Sequence, residues 1–301
     1  MSILTVDYIN QNAKDNLESF VNKSEEKFKK TIDKISRRIK EEKIKYVFLC
    51  GPTSSGKTTF SSLLIKDINL EGSFCISLDD YYKSIEDMPL WKNNHPNYET
   101  INSLRLDAIK RDFNLLKEGK EVKLPLLDFE TGRWVENNRN VKIEDNNIVL
   151  IEGLHALNKK ITGIFKGEKI LKIFICPTPH IEHKGKKLSN VDLRFIRRLV
   201  RDENYRNSDV LYSFLLWDYV RAGERQFMKG YKLNADIVEN TYLDYETCIL
   251  KSQALKMLYT VNKDNKYYLR ARRLINLLEC FLNIDTKNVG KDSLLNEFIK
   301  K

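Results

Sequence analysis

The chain has 301 residues, 42% hydrophobic and 31% charged, a composition that supports a sizeable core and excludes a disordered chain. Its 52 basic and 42 acidic residues leave a net charge of +10, which attracts nucleotides and polyphosphates, and no nucleic-acid-binding signature accompanies it, so nucleic acid is not the expected partner. No apolar run approaches the roughly 20 residues that span a bilayer, no secretory leader pattern opens the chain and the cysteines are scattered, so no membrane partner and a cytoplasmic location are expected.

Residues 1–42 read as a charged helical segment, with Leu17, Phe20, Val21, Phe28, Ile32, Ile35 and Ile39 on roughly one stripe. Two roles stay open for that stripe: packing on the main domain, or pairing with a second copy in a homo-oligomer. A core over residues 43–245 follows. Strands are expected at 46–50, 73–78, 147–151 and 170–175, and helices at 58–68, 100–118, 191–206, 208–222 and 246–259. Strands alternating with helices predict a mostly parallel α/β sheet covered on both faces. Near 119–146 the pattern alternates around Thr131-Gly132, which predicts an inserted antiparallel ribbon on the substrate side. His180 and His183 fall beside prolines in an expected loop, and residues 191–222 form an expected helical lid. The tail, 246–301, reads as helical packing without chemistry, its last short helix marked by Leu294, Leu295 and Phe298.

Chemistry concentrates in four places. Gly51-Pro-Thr53-Ser54-Ser55-Gly56-Lys57-Thr58-Thr59 fits the phosphate-loop pattern and stands between an apolar strand and an amphipathic helix, the context of a P-loop NTPase. Its amides and Lys57 are expected to hold the phosphates of ATP or GTP, and Thr58 to ligate Mg²⁺. The strand at 73–78 runs into Asp79, Asp80, Tyr81 and Tyr82; an acid there can deprotonate an acceptor hydroxyl, and Asp79 is preferred over its neighbour. The apolar run Ile148–Ile151 ends in Glu152, expected at Mg²⁺, with His155 on the following loop as a substrate contact or a structural hydrogen-bonding group. Arg194, Arg197, Arg198, Arg201 and Arg206 mark the fourth place, where rigid multidentate donors would meet transferring phosphate.

These motifs occur in an order that resembles the uridine kinase and phosphoribulokinase family, and most of all its bacterial uridine kinase-like nucleoside kinases. They are Gly51–Phe60, Ser77–Tyr82, Leu126–Arg133, Ile151–Asn158 and Asp192–Asp202. The resemblance covers about residues 43–250. It implies Asp79 as the base toward a 5′-hydroxyl, Tyr82, Asp128, Phe129 and Arg133 at the sugar or base, Arg194 and Arg198 in the lid, and Arg201 and Arg206 on phosphate. It also implies that Trp217, Arg221 and Glu224 join lid and core. Three departures stand out. Asn97 takes the place of an acid in a Tyr-Asp-Phe-Glu stretch; Gly132 or Arg133 occupies the neighbourhood of a ribbon histidine; and only about 45 residues precede the core. The expected function is phosphorylation of the 5′-hydroxyl of a nucleoside, uridine or cytidine, at the expense of ATP or GTP. The alternatives are a kinase for another small hydroxyl metabolite and a non-catalytic nucleotide-binding regulator.

Overall fold

The computed structural model describes residues 3–128, 131–135 and 139–300. In chain order its strands are β1 (Ile3–Thr5), β2 (Tyr46–Cys50), β3 (Phe74–Ser77), β4 (Val122–Lys123), β5 (Leu126–Asp128), β6 (Arg133–Val135), β7 (Asn140–Val141), β8 (Val149–Glu152), β9 (Ile170–Cys176), β10 (His180–His183), β11 (Lys186–Leu188) and β12 (Ile237–Asn240). Its helices are α1 (Val6–Asp15), α2 (Leu17–Glu41), α3 (Lys57–Ile68), α4 (Leu106–Lys117), α5 (Lys159–Thr162), α6 (Asn190–Arg206), α7 (Val210–Leu233), α8 (Glu246–Tyr259) and α9 (Tyr268–Leu278). Five strands form one parallel sheet in the order β12-β9-β2-β8-β3. The buried runs of β2, β8 and β9 suit strands covered on both faces. One face packs on α2, α3, α6 and the C-terminal helices through Val47, Leu49, Leu150 and Ile173. The other packs on α4 and the ribbon through Phe48, Ile76, Ile151 and Phe113. β2 lies at the centre of this order, so the loop after it opens at the carboxyl edge of the sheet, where ligands bind in open α/β folds.

The N-terminal stripe packs on the core. Phe28, Ile32, Ile35 and Ile39 are buried, and the Phe28 ring meets Phe60 of α3 edge-on at 5.9 Å. The segment begins as a strand, and Asn16 divides it into two helices by capping α2 through Ser19 N–H. His180 and His183 lie in β10, which pairs with β1 on one side and β11 on the other, so the loop expected there is a strand. His180 pairs with Ile3 of the incoming N-terminal strand, which local sequence does not reveal, and His183 pairs with Lys186 across a hairpin. The ribbon consists of two short antiparallel pairs, β4 with β7 and β5 with β6. The helix expected at 100–118 starts at Leu106, after a 3-10 turn over Ile101–Ser103, and α7 runs on to Leu233. Among the described residues no helix is long and apolar enough to cross a membrane.

Candidate active site

The loop between β2 and α3 is built for close backbone approach. A Cβ on Gly51 would stand 2.5 Å from the Ile175 carbonyl oxygen, and Gly56 takes φ +89°, the left-handed region that glycine enters without strain. Phe60 N–H is the first α3 amide to close an intrahelical bond, onto Gly56 O at 2.9 Å, which leaves the amides of Lys57, Thr58 and Thr59 at the positive end of the helix. The loop is clamped from behind. Thr241 donates its hydroxyl to Ser55 O at 2.7 Å, and Arg197 donates to Ser54 O at 3.3 Å. Arg197 is fully buried and also forks onto both carboxylate oxygens of Glu246, at 2.8 and 2.6 Å. Sequence spacing placed Arg197 among the basic residues of a lid; the structure makes it a strut between the loop, β12 and α8. Its signal was an arginine on the same helix turn as the apolar Leu193, Ile196 and Val200.

Asp79 and Asp80 separate cleanly. Both follow β3 in a 3-10 turn over Leu78–Tyr81. Burial pushes the Asp79 carboxyl up from its ordinary value, and the charges of Lys57, Arg201 and Arg206 pull it back down. Asp80 instead receives the Leu127 amide and therefore faces the ribbon. Glu152, paired in register with Ser77, accepts its hydroxyl at 2.7 Å, while the other carboxylate oxygen is buried without a hydrogen-bond partner. Burial, and then the charge of Asp79, lift Glu152 to about 7, against the pull of Lys57. Tyr82 is buried with its hydroxyl donated to Tyr98 O at 3.2 Å, and the charges of Asp79, Glu99 and Glu152 reach it.

The arginines divide by partner. Asp202, 1% exposed, gathers three of them: Arg198 Nε at 3.0 Å, Arg206 at 3.3 Å and Arg201 at 4.0 Å. Ser213 donates to the same carboxylate at 3.2 Å. Burial, then the neighbouring charge of Arg206, lower Arg201 to about 10, so it stays a cation at neutral pH. Arg194, expected in the lid, lies in α6 with its side chain turned inward. It is fully buried, its fork is closed on Glu224 and its guanidinium lies 5.2 Å from the Trp217 ring centroid. Arg221 joins the same carboxylate, so Trp217, Arg221 and Glu224 form one cluster between α6 and α7. Glu99, not singled out from sequence, also lies here. Its side chain crosses Gly223, where an added Cβ would come within 2.2 Å, and burial pushes its carboxyl up to about 8, with the Glu224 charge adding. Its signal was an acid two positions beyond Asn97.

The remaining predicted contacts lie on the ribbon side. Asp128 stands opposite Arg133 in the β5–β6 pair and accepts the Thr131 hydroxyl at 2.8 Å; Phe129 lies outside the described residues. Arg133 is exposed and reaches Glu86 at 3.4 Å. Trp134 ties the ribbon down: its ring N–H donates to Tyr82 O at 3.1 Å, and Arg105 stacks on it at 3.5 Å. His155 is 1% exposed and holds the Tyr231 hydroxyl at 3.0 Å, an internal strut by its surroundings.

A glycine-bearing loop at the central strand, with acids at the ends of the two strands beyond it, fits the P-loop-like kinase superfamily. The sequence profile of the phosphoribulokinase / uridine kinase family matches residues 47–238, and the chain belongs to that family. It is 27% identical over 226 residues to a uridine kinase of Saccharomyces cerevisiae, covering 73% of this chain and 42% of the relative. It is 28% identical over 173 residues to that of Schizosaccharomyces pombe, covering 56% and 34%. The chain therefore spans less than half the length of these two. Over 203 residues it is 28% identical to the uridine kinase of Lactobacillus helveticus, covering 66% of this chain and 87% of the relative. A solved structure described as a possible uridine kinase from Bacillus stearothermophilus aligns over 71% of this chain at 19% identity and a TM-score of 0.44.

Proposed function

We propose that this chain transfers the terminal phosphoryl group of ATP or GTP to the 5′-hydroxyl of a nucleoside, with uridine and cytidine the first acceptors to test. One observation carries the reading: Asp79, half-buried in the turn that follows β3, feels the charges of Lys57, Arg201 and Arg206 together. Phosphoryl transfer needs little covalent chemistry from a protein; it needs the triphosphate held, its growing charge met and the acceptor oxygen aimed. In this reading the loop amides and Lys57 bind the phosphates. Asp79 accepts the proton of the acceptor hydroxyl as its oxygen attacks, and its burial raises its affinity for that proton. Arg201 and Arg206 meet charge on the transferring group, and Asp202 keeps both within reach.

The donors around Lys57 suit Mg²⁺: Thr58 offers a hydroxyl and Glu152 a buried carboxylate oxygen with no hydrogen-bond partner, hard oxygen ligands for an ion that completes its shell with phosphate and water. Bound there, Mg²⁺ would neutralise phosphate charge. On the acceptor side Tyr82, Asp128, Arg133 and the ribbon stand for recognition of sugar or base.

The test is ADP release across a panel of nucleosides and small hydroxyl metabolites. Release that rises with uridine or cytidine supports the reading. Release that rises only with a different hydroxyl compound reassigns the acceptor, and nucleotide binding with no acceptor-dependent release makes the chain a nucleotide-binding regulator.

A further inference from the structure

Thr59 is the third residue of α3, and its amide points out of the helix start with no intrahelical acceptor. It donates to Glu297 Oε2 at 3.2 Å, a carboxylate arriving from 238 residues further along the chain. Glu297 ends a 3-10 turn over Leu294–Glu297, and Leu294 of that turn presses on the loop itself, 2.6 Å from where a Cβ on Gly56 would be. The turn is anchored on the lid side as well. Asn204 donates to Phe298 O at 2.9 Å, Tyr205 donates its hydroxyl to Ile299 O at 2.7 Å, and Arg197 lies over the Phe298 ring at 5.1 Å. Leu294, Leu295, Phe298 and Ile299 are buried, while Glu297 keeps partial exposure at the edge of the site. Its charge is felt by Glu152 and by Arg201, so it belongs to the same electrostatic field. The tail was expected to pack without chemistry; it brings an anion to an amide of the phosphate loop.

Unpaired amides at a helix start favour a negative partner, and two negative groups cannot share one of them. We propose that Glu297 is an internal competitor for nucleotide phosphate: its carboxylate takes the Thr59 amide and must leave when a phosphate arrives, so the C-terminal turn sets nucleotide affinity. This rests on the phosphate-loop reading of residues 51–59. The rest of the turn has apolar anchors of its own and need not move; the swing is that of one partly exposed side chain.

The experiment is calorimetric titration of ADP and of a non-hydrolysable ATP analogue, each with Mg²⁺, into the full chain as wild type, Glu297→Gln and Glu297→Lys. Removing a like charge beside a polyphosphate should tighten binding by roughly tenfold in the Gln variant, and further in the Lys variant. An affinity order of Lys, then Gln, then Glu supports the competitor. The reverse order, or equal affinities, overturns it and leaves Glu297 a structural cap, and the two variants guard against one that folds poorly. If neither nucleotide binds any of the three proteins, the phosphate-loop reading falls and this inference with it; binding that is equal across the series removes only the inference.

Discussion

Asp79 and Asp80 are adjacent, equally acidic and placed at the same strand end, and sequence leaves them separable only by preference. Their partners separate them, because a 3-10 turn sends successive side chains about 120° apart. One feels the charges of Lys57, Arg201 and Arg206, the other takes the Leu127 amide. Asp79→Asn should therefore lower the acceptor-dependent rate by roughly 10²-fold or more while nucleotide affinity stays close to wild type, and Asp80→Asn should leave the rate within a few-fold. Steady-state kinetics beside a binding titration reads both, and the opposite pattern would move the base by one residue. His155 gives a second prediction at this scale. Burial lowers it from the ordinary 6.5 to about 4, so the folded chain holds it neutral while the unfolded chain takes up a proton below 6.5. Stability should thus fall as pH drops from about 6.5 to about 4, by roughly 3 kcal/mol in all from this group. Urea unfolding of His155→Gln across that window should show a shallower decline than wild type; an identical slope would mean that the imidazole does not titrate as a buried group.

At the scale of elements, the strands of the sheet and the phosphate loop were legible because each rests on local pattern. Apolar runs bounded by polar residues gave β2, β3, β8 and β9 to within a residue or two, and Gly51 and Gly56 marked the turn. What was not legible depends on partners far away in the chain. β10 is bordered on one side by β1, from near the start of the chain, and Arg194 turns inward because Glu224, 30 residues on, closes its fork. A basic helix in sequence shows which face an arginine shares, not whether an acid waits there. Arg197 is the sharpest case, and it carries a prediction. Removing it leaves Glu246 buried without its partner, so Arg197→Met should cost about 3–5 kcal/mol. Arg197→Lys should recover only part, because an ammonium cannot span both carboxylate oxygens and the Ser54 and Thr241 carbonyls. Thermal unfolding of both variants checks this; wild-type stability in Arg197→Met would remove the strut from the account.

Across the whole molecule, both ends of the chain are drawn into the kinase core. The N-terminal helix α2 covers α3, the helix that starts at the phosphate loop, with Phe28 against Phe60, so the segment is expected to be part of the folding unit. Phe28→Ala should destabilise the chain by roughly 3–5 kcal/mol, read by chemical denaturation as one cooperative transition. A loss near zero would mean that α2 docks without contributing to the core. The C-terminal turn closes the other side of the same loop. The sheet order brings the residues proposed to handle charge to one edge: Lys57 after β2, Asp79 after β3 and Glu152 at the end of β8. The most direct measurement is a crystal structure of the chain with a non-hydrolysable ATP analogue, Mg²⁺ and a nucleoside. It should place the terminal phosphate between Lys57 and Arg201, with the nucleoside 5′-oxygen in hydrogen-bond contact with Asp79. A triphosphate bound away from residues 51–59, or an acceptor hydroxyl turned away from Asp79, would contradict it.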